Sequence, residues 1–276
     1  MNSRTLSHLS RTGVALCALA VVVPLAGSAP AQSRSVQAAP AASILRGANA
    51  DGVVKTFAGT AGRPSVNATT MAAASPPACQ DGRYRQAGHA WKTVLRWGYH
   101  RASTPRRMNA DAAVHQLRLG IVNIAKGQNN CGIRRQTAAT SLYVGRMTVK
   151  PNIYVRNGQL HCGRPNNRNT VGWGPLPGNL LGYTCYWWNG AQNMVEADMR
   201  LDPSRRTVIH YPRNCNFKFD LQSLATHEWG HAFGLLHPGP RHARLTMAHL
   251  LPPCSTAPRS LGLGDWRGMR RLYGLR

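Results

Sequence analysis

Acidic residues are scarce in this 276-residue chain: nine Asp and Glu stand against 34 Lys and Arg, for a formal charge of +25. Nine dispersed carboxylates form no evident calcium loop, which needs several oxygen ligands converging on one ion. Apolar runs of membrane-spanning length are also missing. The longest apolar run, residues 13–27 (GVALCALAVVVPLAG), is too short to span a bilayer comfortably. No recognisable nucleic-acid module accompanies the basic charge, so specific nucleic-acid recognition is not expected. The arginines are spread along the chain rather than gathered in a tail. They suit a basic surface that attracts acidic proteins or anionic cell-surface polymers.

The N-terminus reads as a secretory signal, with a membrane anchor as the rival reading. Arg4 and Arg11 precede the apolar run, and Ala29-Pro30-Ala31 follows it as an A-x-A cleavage pattern. The expectation is a signal peptide over 1–31 and a secreted, extracellular protein. Residues 32–80 form a pro-segment or disordered linker. To about residue 78 they are rich in Ala, Ser, Thr, Pro and Gly, have almost no aromatics and show no helical apolar period, so they should be loose. Tryptophan, tyrosine and cysteine then appear, and residues 81–276 are long enough to bury a real core.

Cys17 falls in the signal. The remaining cysteines, Cys79, Cys131, Cys162, Cys185, Cys215 and Cys254, are even in number, which in an exported chain implies a set of disulfides. Connectivity is not readable from sequence; pairing in sequence order is the arrangement we take.

Residues 93–100, TVLRWGYH, read as a strand. Asn109 is a good N-cap, Val114, Leu117, Ile121 and Ile124 recur at helical spacing, and Gly127 can end that helix. His115 lies beside the stripe, with no second ligand type at i+4, and is read as an exposed helix residue. The stretch 131–188 is Gly- and Pro-rich with short strand-like pieces such as TSLYVG and NIYV. In VEADMRLD (195–202), apolar and polar residues alternate strictly, the pattern of a strand with one buried face. Asp220 can cap a helix that Gly234 stops. Trp266, Met269, Leu272 and Tyr273 mark a last helix closed by Gly274.

Residues 227–237, HEWGHAFGLLH, carry the chemistry. Histidines at i and i+4 share a helix face, so His227 and His231 can reach one metal ion. Glu228 follows the first of them, beside the metal rather than on the ligand face, where it can hold and deprotonate a water. Gly234 permits a sharp turn that brings His237 back as a third ligand. Three nitrogen ligands leave a position open, as in catalytic rather than structural zinc sites.

The full H-E-x-x-H-x-x-G-x-x-H pattern resembles that of the metzincin clan of zinc metalloendopeptidases, most like secreted bacterial matrixin-like proteases. Met247 in RLTMAHLLP looks like their methionine turn, LGLGDWRGMRRLYG like the matrixin closing helix, and VEADMRLD like the edge strand above their cleft. The resemblance is specific over 193–247 and weaker over 261–274. It implies an α+β fold: a zincin-type twisted mixed sheet with a long active-site helix, and a small C-terminal subdomain holding the methionine turn. It also implies one catalytic zinc ion, with Glu228 as the base that activates its water. The substrate would be an extended peptide or protein, added as a strand along 196–202, and the protein a monomer.

The sequence departs from the family in places. The astacin and serralysin branches place tyrosine two residues after the methionine, where this chain has His249; the snapalysin branch has aspartate as third ligand, where it has His237. The calcium and second zinc of vertebrate-type matrixins are not carried over, since the dispersed acids form no evident calcium loop. HCGRPN (161–166) resembles the matrixin cysteine switch, but it lies inside the domain and not in the pro-segment, so Cys162 is read as a disulfide cysteine. Two other functions stay open: a zinc hydrolase acting on cell-wall peptide cross-links, and a basic surface-binding module with a structural zinc.

Overall fold

The computed structural model describes residues 37–38, 44–47, 75–204, 206–210 and 214–276. The expected signal peptide and most of 32–80 lie outside the described residues. The strands in chain order are β1 (Gln37–Ala38), β2 (Ile44–Gly47), β3 (Arg85–Gln86), β4 (Leu95–Tyr99), β5 (Ser141–Arg146), β6 (Ile153–Arg156), β7 (Gln159–Cys162), β8 (Asn169–Trp173), β9 (Leu180–Trp188), β10 (Met194–Leu201), β11 (Thr207–Val208), β12 (Phe219–Asp220), β13 (Leu235–Leu236) and β14 (Leu250–Leu251). The helices are α1 (Ala110–Lys126), α2 (Leu221–Ala232) and α3 (Leu263–Tyr273). The fold is α+β with a mixed sheet, as the sequence implied.

Strands β5, β4, β8 and β10 run parallel in that spatial order. β9 joins β10 antiparallel from Met194↔Trp188 to Leu201↔Gly182. Parallel neighbours need crossover connections, and α1 supplies the one from β4 to β5. Asn109 caps α1 by accepting from the N–H groups of Asp111 and Ala112, and Gly127 ends it at φ 68°. Its apolar stripe (Val114, Leu117, Ile121, Ile124) is buried, while His115 is exposed.

α2 is buried on every side. A helix so enclosed cannot be amphipathic; it is wedged between α1, the sheet and the C-terminal part. Asp220 caps it through Ser223 N–H at 2.8 Å, and the Arg259 guanidinium grips both oxygens of the same carboxylate. Trp229 packs its ring 4.8 Å from that of Trp97 and donates its indole N–H to the Leu117 carbonyl. This couples α2 to both the sheet and α1.

The opposite face of the sheet is covered by the β6–β7 hairpin. Ile153, Leu176, Leu180, Tyr183, Cys185 and Trp187 form a second, smaller core there, and Cys162–Cys185 staples the hairpin to β9. The other disulfides are Cys79–Cys131 and Cys215–Cys254. Pairing in sequence order is therefore what the chain adopts, and Cys162 is a disulfide cysteine.

Three expectations need correction. VEADMRLD is not a strand with one buried face: Glu196 and Asp198, on its polar side, are buried as fully as Ala197 and Met199. Their carboxylates accept backbone N–H groups, Glu196 from Asn166 and Asn167 and Asp198 from Asn152 in the segments flanking the β6–β7 hairpin, and Asp198 also from Thr170 on β8. An alternating pattern records polarity, and here the polar face is satisfied by protein donors instead of water. Nor is that strand at an edge, since β10 is paired on both sides; β9 is the strand beyond it. Finally, the stretch expected to be loose contains β1 and β2, both paired with β9. Residues 75–80 are packed too: Ser75 Oγ accepts Ala243 N–H and the Ala78 carbonyl accepts Leu263 N–H.

Candidate metal centre

Helical spacing sets His227 and His231 on one face of α2, and Phe233 ends the helix there. Gly234 then takes φ +95°, a left-handed conformation costly for any other residue, and sits against the His89 carbonyl, where a side chain would not fit. The chain reverses through β13, and His237 comes back over the same face. The three Nε2 atoms stand 2.9 Å (227–231), 3.1 Å (227–237) and 3.1 Å (231–237) apart. Three imidazoles on one tetrahedral ion, at Zn–N of about 2.0–2.1 Å, place their nitrogens about 3.3 Å apart. The observed triangle is close to that, and among the described residues it is the cluster able to hold a metal ion.

The other ring nitrogens are committed. His227 Nδ1 lies 2.7 Å from the Thr246 carbonyl and His231 Nδ1 2.8 Å from the Leu235 carbonyl. A carbonyl only accepts, so each Nδ1 carries the proton and each Nε2 presents its lone pair. Such outer hydrogen bonds fix both tautomer and ring orientation. Burial pushes His227 down to about 4, and holds His231 and His237 well below the ordinary histidine value. Neutral rings at neutral pH are the form in which histidine binds a metal.

Glu228 is fully buried and faces β9. Thr184 Oγ1 donates to its Oε2 at 2.6 Å, while Oε1 has no hydrogen-bond partner among the described residues. Burial raises this carboxyl to about 8, against the lowering effect of the Thr184 bond; a cation at the histidines would draw it down again. Gly182, two residues before Thr184 on the same strand face, lies directly against the carboxylate. A Cβ there would collide with Oε1.

Met247 is buried below α2, and its thioether occupies the space that Gly230 leaves by having no side chain. Asp265, at the start of α3, accepts N–H groups from Thr246 (2.8 Å), Met247 (3.1 Å) and Gly262 (2.9 Å). It thereby holds the turn whose Thr246 carbonyl orients His227. His249 lies near but outside the triangle: its ring centre is 6.2 Å from that of His237, and its charge acts on His227 and His237.

All four residues singled out in HEWGHAFGLLH thus fall in one buried place with Met247 beneath it. Sequence reasoning missed Thr184, Gly182 and Asp265. Asp265 carried a faint signal, an acid in the first turn of a helix; Thr184 and Gly182 carried none, because nothing local marks which strand passes the helix. Comparison of the chain with protein-family models and with curated protein sequences finds no match.

Proposed function

We propose that the protein is a secreted zinc-dependent endopeptidase of metzincin, matrixin-like type. The observation that carries this is the Nε2 triangle of His227, His231 and His237 with a buried, only half-satisfied carboxylate on the adjacent residue. A purely structural site has no use for Glu228, whose burial costs free energy that no ion pair among the described residues offsets. Four parallel strands bordered by an antiparallel one, a three-histidine helix and turn, and a methionine turn beneath suit a zincin-type fold with a small C-terminal part.

His227, His231 and His237 would hold the ion. A zinc ion bound there supplies a Lewis acid and lowers the pKa of a water to about 7. Glu228 takes the proton from the attacking water and passes it to the leaving amine. Thr184 keeps one carboxylate oxygen occupied and leaves Oε1 for that proton. The backbone of β9 would position an extended peptide by strand addition in the place where β1 and β2 pair with it; the 196–202 stretch lies between β8 and β9 and is one strand further from the site. Three disulfides suit an oxidising compartment. Among the described residues no helix is long and apolar enough to cross a membrane.

The test is metal content and hydrolysis together. The purified protein should carry about one zinc per chain, a strong chelator should stop peptide cleavage, and zinc should restore it. Full activity in metal-free protein refutes the reading. Running casein and purified cell wall side by side distinguishes a general protease from an enzyme for wall cross-links, which the +25 charge also suits.

A further inference from the structure

Acids are nearly absent from the surface. Among the described residues Asp111 is the one exposed Asp or Glu, and Arg101 holds it; every other is buried. Cations are therefore unopposed over most of the molecule, and at one place three separate segments bring them together. The chain end lies along the loop after α1: Thr137 and Leu275 form an antiparallel bridge, Arg276 N–H donates to the Gln136 carbonyl, and Thr137 N–H donates to the Lys126 carbonyl. α3 closes the third side. Trp266 donates its indole N–H to the Arg135 carbonyl at 3.1 Å, and its ring lies against Gly127, where a side chain would not fit.

The side chains gathered there are Lys126, Arg134, Arg135, Arg270, Arg271 and Arg276. The arginines are exposed, and none of these cations has an ion-pair partner among the described residues. Neutral groups hold two of them in place: the Arg270 guanidinium sits 5.2 Å over the Trp266 ring, and Arg276 Nη2 donates to the Ala139 carbonyl at 3.3 Å. Like charges gathered this way repel one another, and a polyanion relieves that repulsion. All but Lys126 are planar guanidinium forks, which match phosphate oxygens in pairs. A nucleic-acid base would need an open aromatic face to stack on, whereas Trp266 is 6% exposed and lies under Arg270. The place is also apart from the metal centre. Asp265 grips the methionine turn from the first turn of α3, and Arg270 and Arg271 follow about 8–9 Å farther along the helix.

We propose that this face binds a base-free polyanion whose charges are phosphodiesters, such as a glycerol-phosphate polymer of a cell surface, and so holds the protein where that polymer is. The polymer is gripped at several phosphates at once, and each contact releases a counterion. Binding is therefore strong in dilute salt and falls steeply as salt rises. The site stands on these residues alone and does not depend on the peptidase reading.

The test is calorimetric titration of the purified full chain with a synthetic glycerol-phosphate polymer at several salt concentrations. One variant carries Arg134→Gln, Arg135→Gln, Arg270→Gln and Arg271→Gln. A second carries Arg96→Gln, Arg146→Gln, Arg156→Gln and Arg168→Gln, exposed arginines on β4, on β5 and around the β6–β7 hairpin, and so has the same net charge. The first should bind roughly tenfold or more weakly, and its slope of log K against log salt should be shallower by about 3, at about 0.7 per lost cation. The second should stay within about threefold of the unaltered chain. Equal loss in both variants means that overall charge alone does the binding, and overturns the proposal, as does absence of binding by the unaltered chain. Tighter binding of duplex DNA or of polyglutamate than of the glycerol-phosphate polymer makes the partner a nucleic acid or an acidic protein, and overturns it too. Should thermal melting show that the first variant does not fold, the same four positions changed to Lys keep the charge. A weaker complex with the same salt slope then supports recognition of phosphate by guanidinium forks, and unchanged affinity overturns it.

Discussion

At the scale of single residues the proposed site divides into ligands, a base and a group that orients the base. Glu228 is not a ligand in this arrangement, so Glu228→Ala should keep zinc and lose turnover by about 10²–10⁴-fold, the usual contribution of a general acid–base group. His231→Ala should instead lose the metal. Zinc content and initial rate, measured on both variants, separate the roles; near wild-type turnover in Glu228→Ala would remove it as the base. Thr184 acts through Glu228 by its 2.6 Å hydrogen bond. Replacing Thr184 by Val removes that bond at nearly constant volume. The expected result is a kcat lowered about tenfold, at the lower end of what outer-sphere partners contribute, with KM and zinc content little changed. A drop in zinc content would show that Thr184 supports the metal site rather than the base.

Among the elements, the methionine turn and α3 behave as one unit because a single buried carboxylate joins them. Asp265 satisfies three backbone N–H groups, and each buried donor left without a partner costs about 1–3 kcal/mol. Asp265→Ala should therefore lower unfolding stability by roughly 3 kcal/mol or more. It should also weaken zinc binding, since the Thr246 carbonyl that orients His227 sits on the released turn. Denaturant unfolding combined with a zinc-competition titration tests both; a stability loss with unchanged zinc affinity would uncouple the turn from the site. The same logic explains β10. Its acids hold the hairpin loop down by accepting backbone N–H groups, so a stretch patterned like a half-exposed strand lies in the middle of the sheet.

For the whole molecule, three disulfides tie peripheral segments to one another and, through Cys185 on β9, to the sheet. Cys79–Cys131 anchors the start of the packed chain, Cys162–Cys185 the hairpin, and Cys215–Cys254 the loop before α2. Each native disulfide of an exported domain contributes about 2–5 kcal/mol. Reduction should accordingly lower the melting midpoint by tens of degrees or unfold the protein outright, as thermal unfolding with and without reductant would show. Thiol titration of the unfolded, unreduced chain lacking residues 1–31 should find no free cysteine; any thiol found there contradicts this pairing.

The sequence by itself determined what is local. Histidines at i and i+4 meet because a helix turn brings them together, and a glycine three residues past the second allows the reversal that returns His237. The caps Asn109 and Asp220 and the stops Gly127, Gly234 and Gly274 were legible for the same reason: each satisfies or relieves backbone within a few residues. An even set of cysteines after residue 31 implied disulfides. Only the tertiary structure decided which strand borders α2. Alternation in 195–202 and the near-continuous apolar run of 180–188 say how a strand is surrounded, not who its neighbours are, and sheet order depends on pairings between distant segments. The placement of Thr184 and Gly182 against Glu228, and of Asp265 beneath the methionine turn, follows from that order. Those contacts join parts of the chain that share no local periodicity, so they exist only once the chain has folded.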